Sequence, residues 1–332
     1  MRKVRIAING FGRIGRLVLR QLLKNVNAEV VAINDLTDIK TLAHLFRYDS
    51  SQGAYSGTVE ADSGHLIIDG KQIAYYASKN PADLPWKNLE VDVVLECTGI
   101  FRDKEKAMMH IEAGARRVII SAPGKGDMLT VVRGINDNLL SAEEKIISNA
   151  SCTTNCLAPL IKVILDNWGM ERIFASTVHA YTADQNIQDA PHKDLRRARA
   201  AAINIVPTST GAGDALIQIF PELKGMISTS SVRVPVITGS MVDVIAILKK
   251  IPASGSEVNA AFKSAAMNHF KGIMQYSEEP LVSSDIVGSP FSTIFDAELT
   301  TLNANMLKVS AWYDNEAGYS ARLAEVATMI NH

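Results

Sequence analysis

A thiol, a run of hydroxyls and a histidine stand near one another along the chain. They read Asn149-Ala150-Ser151-Cys152-Thr153-Thr154-Asn155-Cys156, followed by Thr177-Val178-His179. Beyond Cys152, the residues Leu157, Leu160, Ile161, Ile164 and Leu165 recur at spacings of three and four, which predicts a helix from Thr153 to about Trp168. A cysteine at the mouth of that helix faces unpaired N–H groups and the positive end of the dipole, and both favour the thiolate. A histidine within reach lowers the thiol further and supplies a general base. A free cysteine is usually a small buried hydrophobe. The hydroxyls of Ser151, Thr153 and Thr154 tilt the reading towards a reactive thiol, because a purely apolar site has no use for them.

A second constellation lies at the start of the chain. Gly10-Phe11-Gly12-Arg13-Ile14-Gly15 falls between an apolar strand and an amphipathic helix, and Asp35 follows Gly15 at the end of the next strand. Gly10 and Gly12 permit a tight turn and close approach of a pyrophosphate to the backbone. Gly15 lets helix pack on strand, and the helix N-terminus faces the phosphates. A carboxylate at Asp35 accepts hydrogen bonds from ribose hydroxyls and repels a 2′-phosphate, so NAD is the expected cofactor.

These two sites need a frame. At 332 residues the chain is long for a single core and is read as two domains. A net charge of −1 gives no general reason to expect nucleic acid or a membrane surface as partner. The one dense basic run, Lys193-Asp194-Leu195-Arg196-Arg197-Ala198-Arg199, is a solvated face or the lining of an anion pocket. No apolar stretch approaches the ~20 residues that cross a bilayer. Cys97, Cys152 and Cys156 form neither a disulfide framework nor a zinc pattern, so no metal is expected. With a strand beginning almost at the first residue and no secretory signal, a cytoplasmic location is expected.

Strands are predicted at Lys3–Ile8, Glu29–Asn34, Val91–Glu96, Arg117–Ile120, Thr130–Val132 and Lys145–Ile147, with a helix over Arg13–Leu23. This alternation argues a Rossmann-type, doubly wound parallel sheet over residues 1–150. After Cys152 the strands lengthen and alternate, at Ile173–Ala180, Ser231–Val236, Met241–Leu248 and Met306–Tyr313. Helical patterns there are fewer, near Thr210–Phe220, Ser256–Asn268 and Glu316–Met329. The expectation for residues 151–315 is an α+β catalytic domain on a mostly antiparallel sheet, with the helix of residues 316–332 returning to the first domain.

With both constellations in place, the chain resembles the phosphorylating glyceraldehyde-3-phosphate dehydrogenase family along its whole length. The resemblance is carried by Ile8-Asn9-Gly10-Phe11-Gly12-Arg13-Ile14-Gly15-Arg16, the cysteine octet and Thr177-Val178-His179-Ala180-Tyr181-Thr182. It continues through Thr208-Ser209-Thr210-Gly211-Ala212, Val232-Arg233-Val234-Pro235 and Trp312-Tyr313-Asp314-Asn315-Glu316. It implies Cys152 as nucleophile and His179 as its activator, with a thioester intermediate that inorganic phosphate releases as an acyl phosphate. Thr182 and Arg233 would hold the phosphate of glyceraldehyde 3-phosphate. Ser151, Thr153, Arg197, Thr210 and Gly211 would build the site of the attacking phosphate or the space between the two. Asn315 would hold the nicotinamide carboxamide, Arg13 and Ile14 would meet the pyrophosphate and adenine regions, and Ser121 and Lys79 the cofactor's periphery. A homotetramer is also implied.

Departures from the family pattern sharpen the expectations. Val236-Ile237-Thr238-Gly239-Ser240 stands where the family commonly has Thr-Pro-Asn-Val-Ser, next to the substrate arginine. Ala190 stands where many NAD-specific relatives carry leucine, which leaves room for some NADP use against the opposition of Asp35. The nearest rival is erythrose-4-phosphate dehydrogenase, whose relatives tend to lack the pair seen here as Tyr181-Thr182. A nucleic-acid or surface-binding role of the same fold is the rival of a different class, and no residue demands it.

Overall fold

The computed structural model describes residues 2–329, and their backbone divides into two compact units. The first comprises residues 2–131, 137–150 and 320–329, and the second residues 132–136 and 151–319.

The first unit is built on nine strands. They are β1 (Val4–Asn9), β2 (Ala28–Asn34), β3 (Val59–Ala61), β4 (His65–Ile68), β5 (Lys71–Tyr76), β6 (Val93–Glu96), β7 (Arg117–Ile120), β8 (Leu129–Thr130) and β9 (Ile146–Ser148). Their order across the sheet is 3-4-5-2-1-6-7-9-8, and every ladder is parallel except those joining β3, β4 and β5. Burial explains the parallel core. In β1, Val4, Ile6 and Ile8 enter one apolar cluster while Ala7 enters the other. Residues alternate between faces along a strand, so both faces must be covered. Helices α1 (Arg13–Leu22) and α2 (Ile39–Arg47) cover the first face through Val18, Leu19, Leu42 and Phe46. Ala107 of α3 (Lys104–Glu112) and Trp86 cover the second. The expected doubly wound parallel sheet is what forms.

A chain of buried polar groups ties the carboxyl ends of these strands together. Glu96, with no exposed side chain, accepts from Asn9 Nδ2 (2.5 Å), the Thr98 backbone N–H (2.8 Å) and the Thr98 hydroxyl, and pairs with His110 Nε2 at 3.0 Å. Trp86 Nε1 donates to His110 Nδ1 at 3.0 Å. Indole nitrogen only donates, so the ring proton of His110 sits on Nε2, facing Glu96. Asn9 Oδ1 in turn accepts from Asn34, whose own Oδ1 accepts from the Ser78 N–H. The ends of β1, β2 and β6 and the turn after β5 are thus fixed against one another.

The second unit runs α4 (Cys152–Asn167), β10 (Met170–Ala180), β11 (Val206–Thr208), α5 (Ala212–Ile219), β12 (Ile227–Val234), β13 (Ser240–Leu248), α6 (Gly255–Met267), β14 (Met274–Ser277), β15 (Thr293–Asn303) and β16 (Met306–Tyr313). Helix α7 (Ala317–Met329) starts in this unit and passes into the first, where Leu323, Ala324, Val326 and Ala327 join the core beside α1. The seven strands lie in the order 11-12-10-13-16-15-14. The sheet is mostly antiparallel, as expected, with parallel ladders only between β10 and β12 and between β14 and β15.

Several elements escape the sequence patterns for physical reasons. Helix α3 buries only Ala107 and His110 and so has no apolar stripe to read. Strand β15 is buried from Thr293 to Ala297 and then runs out partly exposed, without alternation. Helix α2 is nine residues long and is fixed by its cap, the Asp38 carboxylate accepting from the Thr41 N–H at 3.0 Å. Strand β12 begins earlier than expected and stops at Val234, because Pro235 has no N–H to continue the ladder.

Candidate active site

Helix α4 begins on the nucleophile candidate itself. Ser151 is its N-cap, accepting from the Thr154 N–H at 3.1 Å, and Cys152 is the first helical residue. The residue before the cap, Ala150, is fully buried with φ of 54°, a left-handed conformation that a non-glycine residue adopts only when its surroundings impose it. His179 comes from the end of β10. The parallel register pairs His179 with Arg233 of β12, which sets their side chains side by side on one face. The result brings Cys152 Sγ to 3.5 Å from His179 Nε2.

Tyr313, which the sequence patterns gave no role, completes the wall. Its hydroxyl meets Thr153 Oγ1 at 2.9 Å, and its ring stands edge-on to the His179 imidazole at 5.9 Å between centroids. The signal was the segment Trp312–Glu316, but only the pairing of β16 with β13 shows that Tyr313 turns inward.

The electrostatics correct one expectation. In place of a depressed thiol, burial pushes Cys152 up, against the pull of the Arg233 guanidinium, the Thr153 hydroxyl and the backbone N–H groups of Thr153 and Cys152. Burial and the Arg233 charge hold His179 down at about 3, against a bond to the Ala180 carbonyl. Each effect opposes one charge standing alone. Proton transfer from Sγ to Nε2 creates both charges together, and at 3.5 Å their attraction is about 5 kcal/mol for an effective dielectric constant of roughly 20. That attraction offsets part of the two penalties, so the protonation states of thiol and imidazole are coupled.

The residues expected around phosphate occupy distinct surroundings. Arg233 sits against His179 Nδ1 and donates to the Ala180 carbonyl at 3.2 Å. Thr182 lies just beyond the end of β10. Arg197 is held by Asp184 at 2.5 Å and by the Thr208 hydroxyl at 2.7 Å. Thr210 accepts from the Ala212 N–H at 3.2 Å and so caps α5, whose N-cap is Gly211. The Thr153 hydroxyl meets that of Tyr313 at 2.9 Å, and the residue is buried. Cys156 is buried one turn beyond Cys152, as packing.

In the first unit, Asn9, Gly10, Gly12, Asn34, Asp35, Leu36, Ser78, Lys79, Cys97, Thr98, Ile100 and Phe101 line a cavity of about 510 Å³. Gly10 has φ of 91°, and a Cβ there would lie 2.6 Å from the Thr98 nitrogen. A Cβ on Gly15 would lie 2.2 Å from the Gly10 carbonyl oxygen, so helix and turn meet only without one. A Cβ on Gly12 would touch nothing within 4 Å. The bare backbone at Gly12 therefore preserves open space at the start of α1, which suits a pyrophosphate. Asp35 is aimed by the Phe11 N–H (2.7 Å) and the Thr37 N–H (2.9 Å), which leaves carboxylate lone pairs for a ribose. These features fit a dinucleotide.

The other residues expected around the cofactor have the following surroundings. The Arg13 guanidinium is bound to Asp49 (2.5 Å) and Ser51 (2.5 Å) instead of standing free for an anion. Ile14 packs on the core, and Ser121 bonds the Cys97 thiol. Lys79 lines the cavity. Asn315, in the second unit, is buried with its Oδ1 accepting from Ser240 at 2.9 Å and Thr238 at 3.4 Å. The unusual stretch 236–240 thus supplies the hydroxyls that orient Asn315.

The Arg13 contact has a consequence for acid stability. Burial works to raise Asp49, but bonds from Arg13, Gln52 and Ser51 override it and hold the carboxyl at about 2, below its ordinary 3.8. The unfolded chain takes up this proton first as pH falls. The contribution is therefore complete above pH 3.8 and gone below about 2. Asp49→Asn should flatten the acid limb of unfolding free energy in that window, measured by urea titration at a series of pH values. An unchanged limb would show that Arg13 does not hold this carboxylate in solution.

Comparison with known proteins covers nearly all of the chain. Residues 4–104 match the family described as glyceraldehyde 3-phosphate dehydrogenase, NAD binding domain, and residues 151–315 match its C-terminal domain. The chain is 52% identical over 334 residues to a glyceraldehyde-3-phosphate dehydrogenase of Mycobacterium avium, covering 98% of each. It is 50% identical over 325 residues to that of Clostridium acetobutylicum, covering 96% of each, and 50% identical over 329 residues to that of Geobacillus stearothermophilus, covering 98% of each.

Proposed function

The chain belongs to the glyceraldehyde-3-phosphate dehydrogenase family and is an NAD-dependent oxidoreductase of aldehydes, and we propose that it works through a thioester on Cys152. The observation that carries the proposal is the 3.5 Å approach of Cys152 Sγ to His179 Nε2 at the first residue of a helix. Nε2 takes the thiol proton as Sγ adds to the carbonyl carbon of glyceraldehyde 3-phosphate, and returns it to the oxygen. It takes the hydroxyl proton again as the C–H bond breaks and the thioester forms. NAD, when bound, supplies the acceptor for the hydride. An oxygen of inorganic phosphate then attacks the thioester carbon, Sγ leaves, and 1,3-bisphosphoglycerate is released.

Arg233 and Thr182 are assigned to the phosphate of the substrate. Arg197, Thr210, Gly211, Ser151 and Thr153 are assigned to the attacking phosphate, with Arg197 first exchanging Asp184 for the anion. Guanidinium groups, hydroxyls and helix-end N–H groups are the donors that phosphate takes. Gly10, Gly12, Gly15 and Asp35 are assigned to the pyrophosphate and ribose of NAD, and Asn315 to the carboxamide. Ile187, Leu195, Ile203 and Ile205 stand exposed in the segment after β10 and support a homotetramer in which they are covered. The free state of Cys97, Cys152 and Cys156 accords with a cytoplasmic enzyme.

The test is NADH formation by the purified enzyme. Glyceraldehyde 3-phosphate should be oxidised only when inorganic phosphate is added. Turnover without phosphate, or a preference for erythrose 4-phosphate, would defeat the assignment. Asp35→Ala should weaken NAD roughly 10- to 100-fold, the worth of charge-assisted bonds to two hydroxyls, and narrow the gap to NADP. If calorimetry finds NAD binding unchanged, Asp35 does not meet the ribose.

A further inference from the structure

The hydroxyl of Ser240 stands between the strand that carries the base and the residue assigned to the carboxamide. The antiparallel ladder of β10 and β13 closes at Val178 and Met241. Just past it the buried Ala180, next to His179, gives its N–H to Ser240 Oγ at 3.1 Å. Ser240 Oγ also lies 2.9 Å from Asn315 Oδ1. Both residues are buried, Ser240 with 1% and Asn315 with 6% exposure. The turn that delivers Ser240 belongs to this chain's unusual stretch. Gly239 has φ of 86°, and a Cβ there would lie 2.3 Å from the Ser283 carbonyl oxygen, so the valine of the family pattern does not fit this turn.

Which way the Asn315 amide faces is decided by its hydrogen bonds. The backbone N–H of Ala180 only donates, so Ser240 Oγ accepts there. The proton of Ser240 then has one acceptor among the described residues, the Asn315 side-chain oxygen. Thr238 does not take over this role, because its own proton lies nearer to Asp314 Oδ1, at 2.9 Å against 3.4 Å to Asn315. Asp314 in turn accepts from the N–H groups of Gly288 (2.8 Å), Glu316 (2.9 Å) and Ala317 (3.0 Å), which holds the backbone on both sides of Asn315. With Oδ1 engaged, the other end of the amide, Nδ2, bonds none of the described residues. An amide turned over would leave the Ser240 proton buried without an acceptor, which is the costly arrangement.

We infer that Ser240 is a positioning residue for the cofactor: by giving its proton to Asn315 Oδ1 it holds Asn315 Nδ2 out as a donor, which selects the oxygen of the nicotinamide carboxamide and not its NH2. The inference rests on the assignment of Asn315 to that carboxamide. Ser240 acts through Asn315 and not by contact. The same hydroxyl holds Ala180, so one side chain sets both the residue beside the base and the amide that meets the pyridine ring.

Calorimetry on the full-length enzyme with three ligands tests this. They are NAD, ADP, which lacks the pyridine ring, and the NAD analogue with a methyl ketone in place of the carboxamide, which keeps the oxygen and loses the NH2. The parent enzyme should bind the ketone within about five-fold of NAD. Ser240→Ala frees the amide to turn over. NAD then keeps a partner through its NH2 and should weaken by roughly two- to five-fold, whereas the ketone should weaken by roughly ten-fold or more and ADP should be unchanged. A merely structural serine would weaken NAD and the ketone by the same factor. Ser240→Cys keeps the volume and a weak donor. It should show the same ordering at smaller size, and it carries the test if Ser240→Ala does not fold. Asn315→Ala separates the two claims, because it should narrow the gap between NAD and ADP. Where it does, equal weakening of NAD and ketone in the Ser240 variants, or a parent that binds the ketone more than about five-fold worse than NAD, overturns the inference and leaves Asn315 on the carboxamide. A gap that Asn315→Ala leaves unchanged overturns the assignment of Asn315, and the inference with it.

Discussion

Cys152→Ser should lower turnover of glyceraldehyde 3-phosphate by about 10⁴- to 10⁶-fold, the range seen when a covalent nucleophile is removed. The serine hydroxyl is a far weaker nucleophile at neutral pH, and nothing in the site is arranged to ionise it. NAD affinity should stay within about two-fold, because the cavity that fits the dinucleotide is lined by residues 9–101 of the first unit alone. The same variant tests which thiol is reactive. Burial pushes Cys97 up to about 12 and Cys156 higher still, so neither holds a useful thiolate fraction at neutral pH. Iodoacetamide should therefore modify one cysteine in the parent enzyme and none in Cys152→Ser, read by intact-mass measurement. Modification of the variant at the parental rate would show that another cysteine carries the reactivity.

Position along the chain made half of this site legible. Ser151 before Cys152, followed by apolar residues at spacings of three and four, announces a capped helix with a thiol at its mouth. Gly10, Gly12, Gly15 and Asp35 announce a strand, a turn, a helix and a second strand. All of that is local, and local patterns survive in sequence. The neighbours of His179 are not local. Arg233 lies 54 residues away and Tyr313 comes from β16, and only strand register brings either to the imidazole. A family resemblance could nominate Arg233 for phosphate, but it could not show the guanidinium resting on the base.

The polar network behind the dinucleotide cavity was hidden for a related reason. Glu96 ends a strand of apolar residues, His110 sits on a helix with no apolar stripe, and Trp86 lies in a turn. Each looks ordinary alone, and their meaning comes from four chain segments converging. The resemblance nominates Arg13 for the pyrophosphate region, and local sequence gives no sign that its guanidinium is bound to Asp49 and Ser51. A long side chain at a helix N-terminus can serve the protein's own carboxylates as readily as a ligand's phosphates.

His179→Asn should reduce turnover by about 10²- to 10⁴-fold, the usual worth of a positioned general base, with NAD binding unaffected. Asparagine keeps the polarity of the position but has no lone pair basic enough to take the thiol proton. The remaining help for a thiolate would come from Arg233, the Thr153 hydroxyl and the start of α4, and these act against burial, which already pushes the thiol up. Losing the imidazole also loses the partner whose attraction at 3.5 Å is about 5 kcal/mol for an effective dielectric constant of roughly 20. The pH needed for alkylation of Cys152 should therefore rise, and turnover of the variant should climb with pH as hydroxide takes over the proton. The sign matters, because a merely structural histidine would lower stability and leave the alkylation midpoint in place. Rates of iodoacetamide modification across the neutral and alkaline range, set beside urea unfolding of the same variant, separate the two. A parental alkylation profile in a well-folded His179→Asn would mean that Nε2 and Sγ, for all their closeness, do not share a proton.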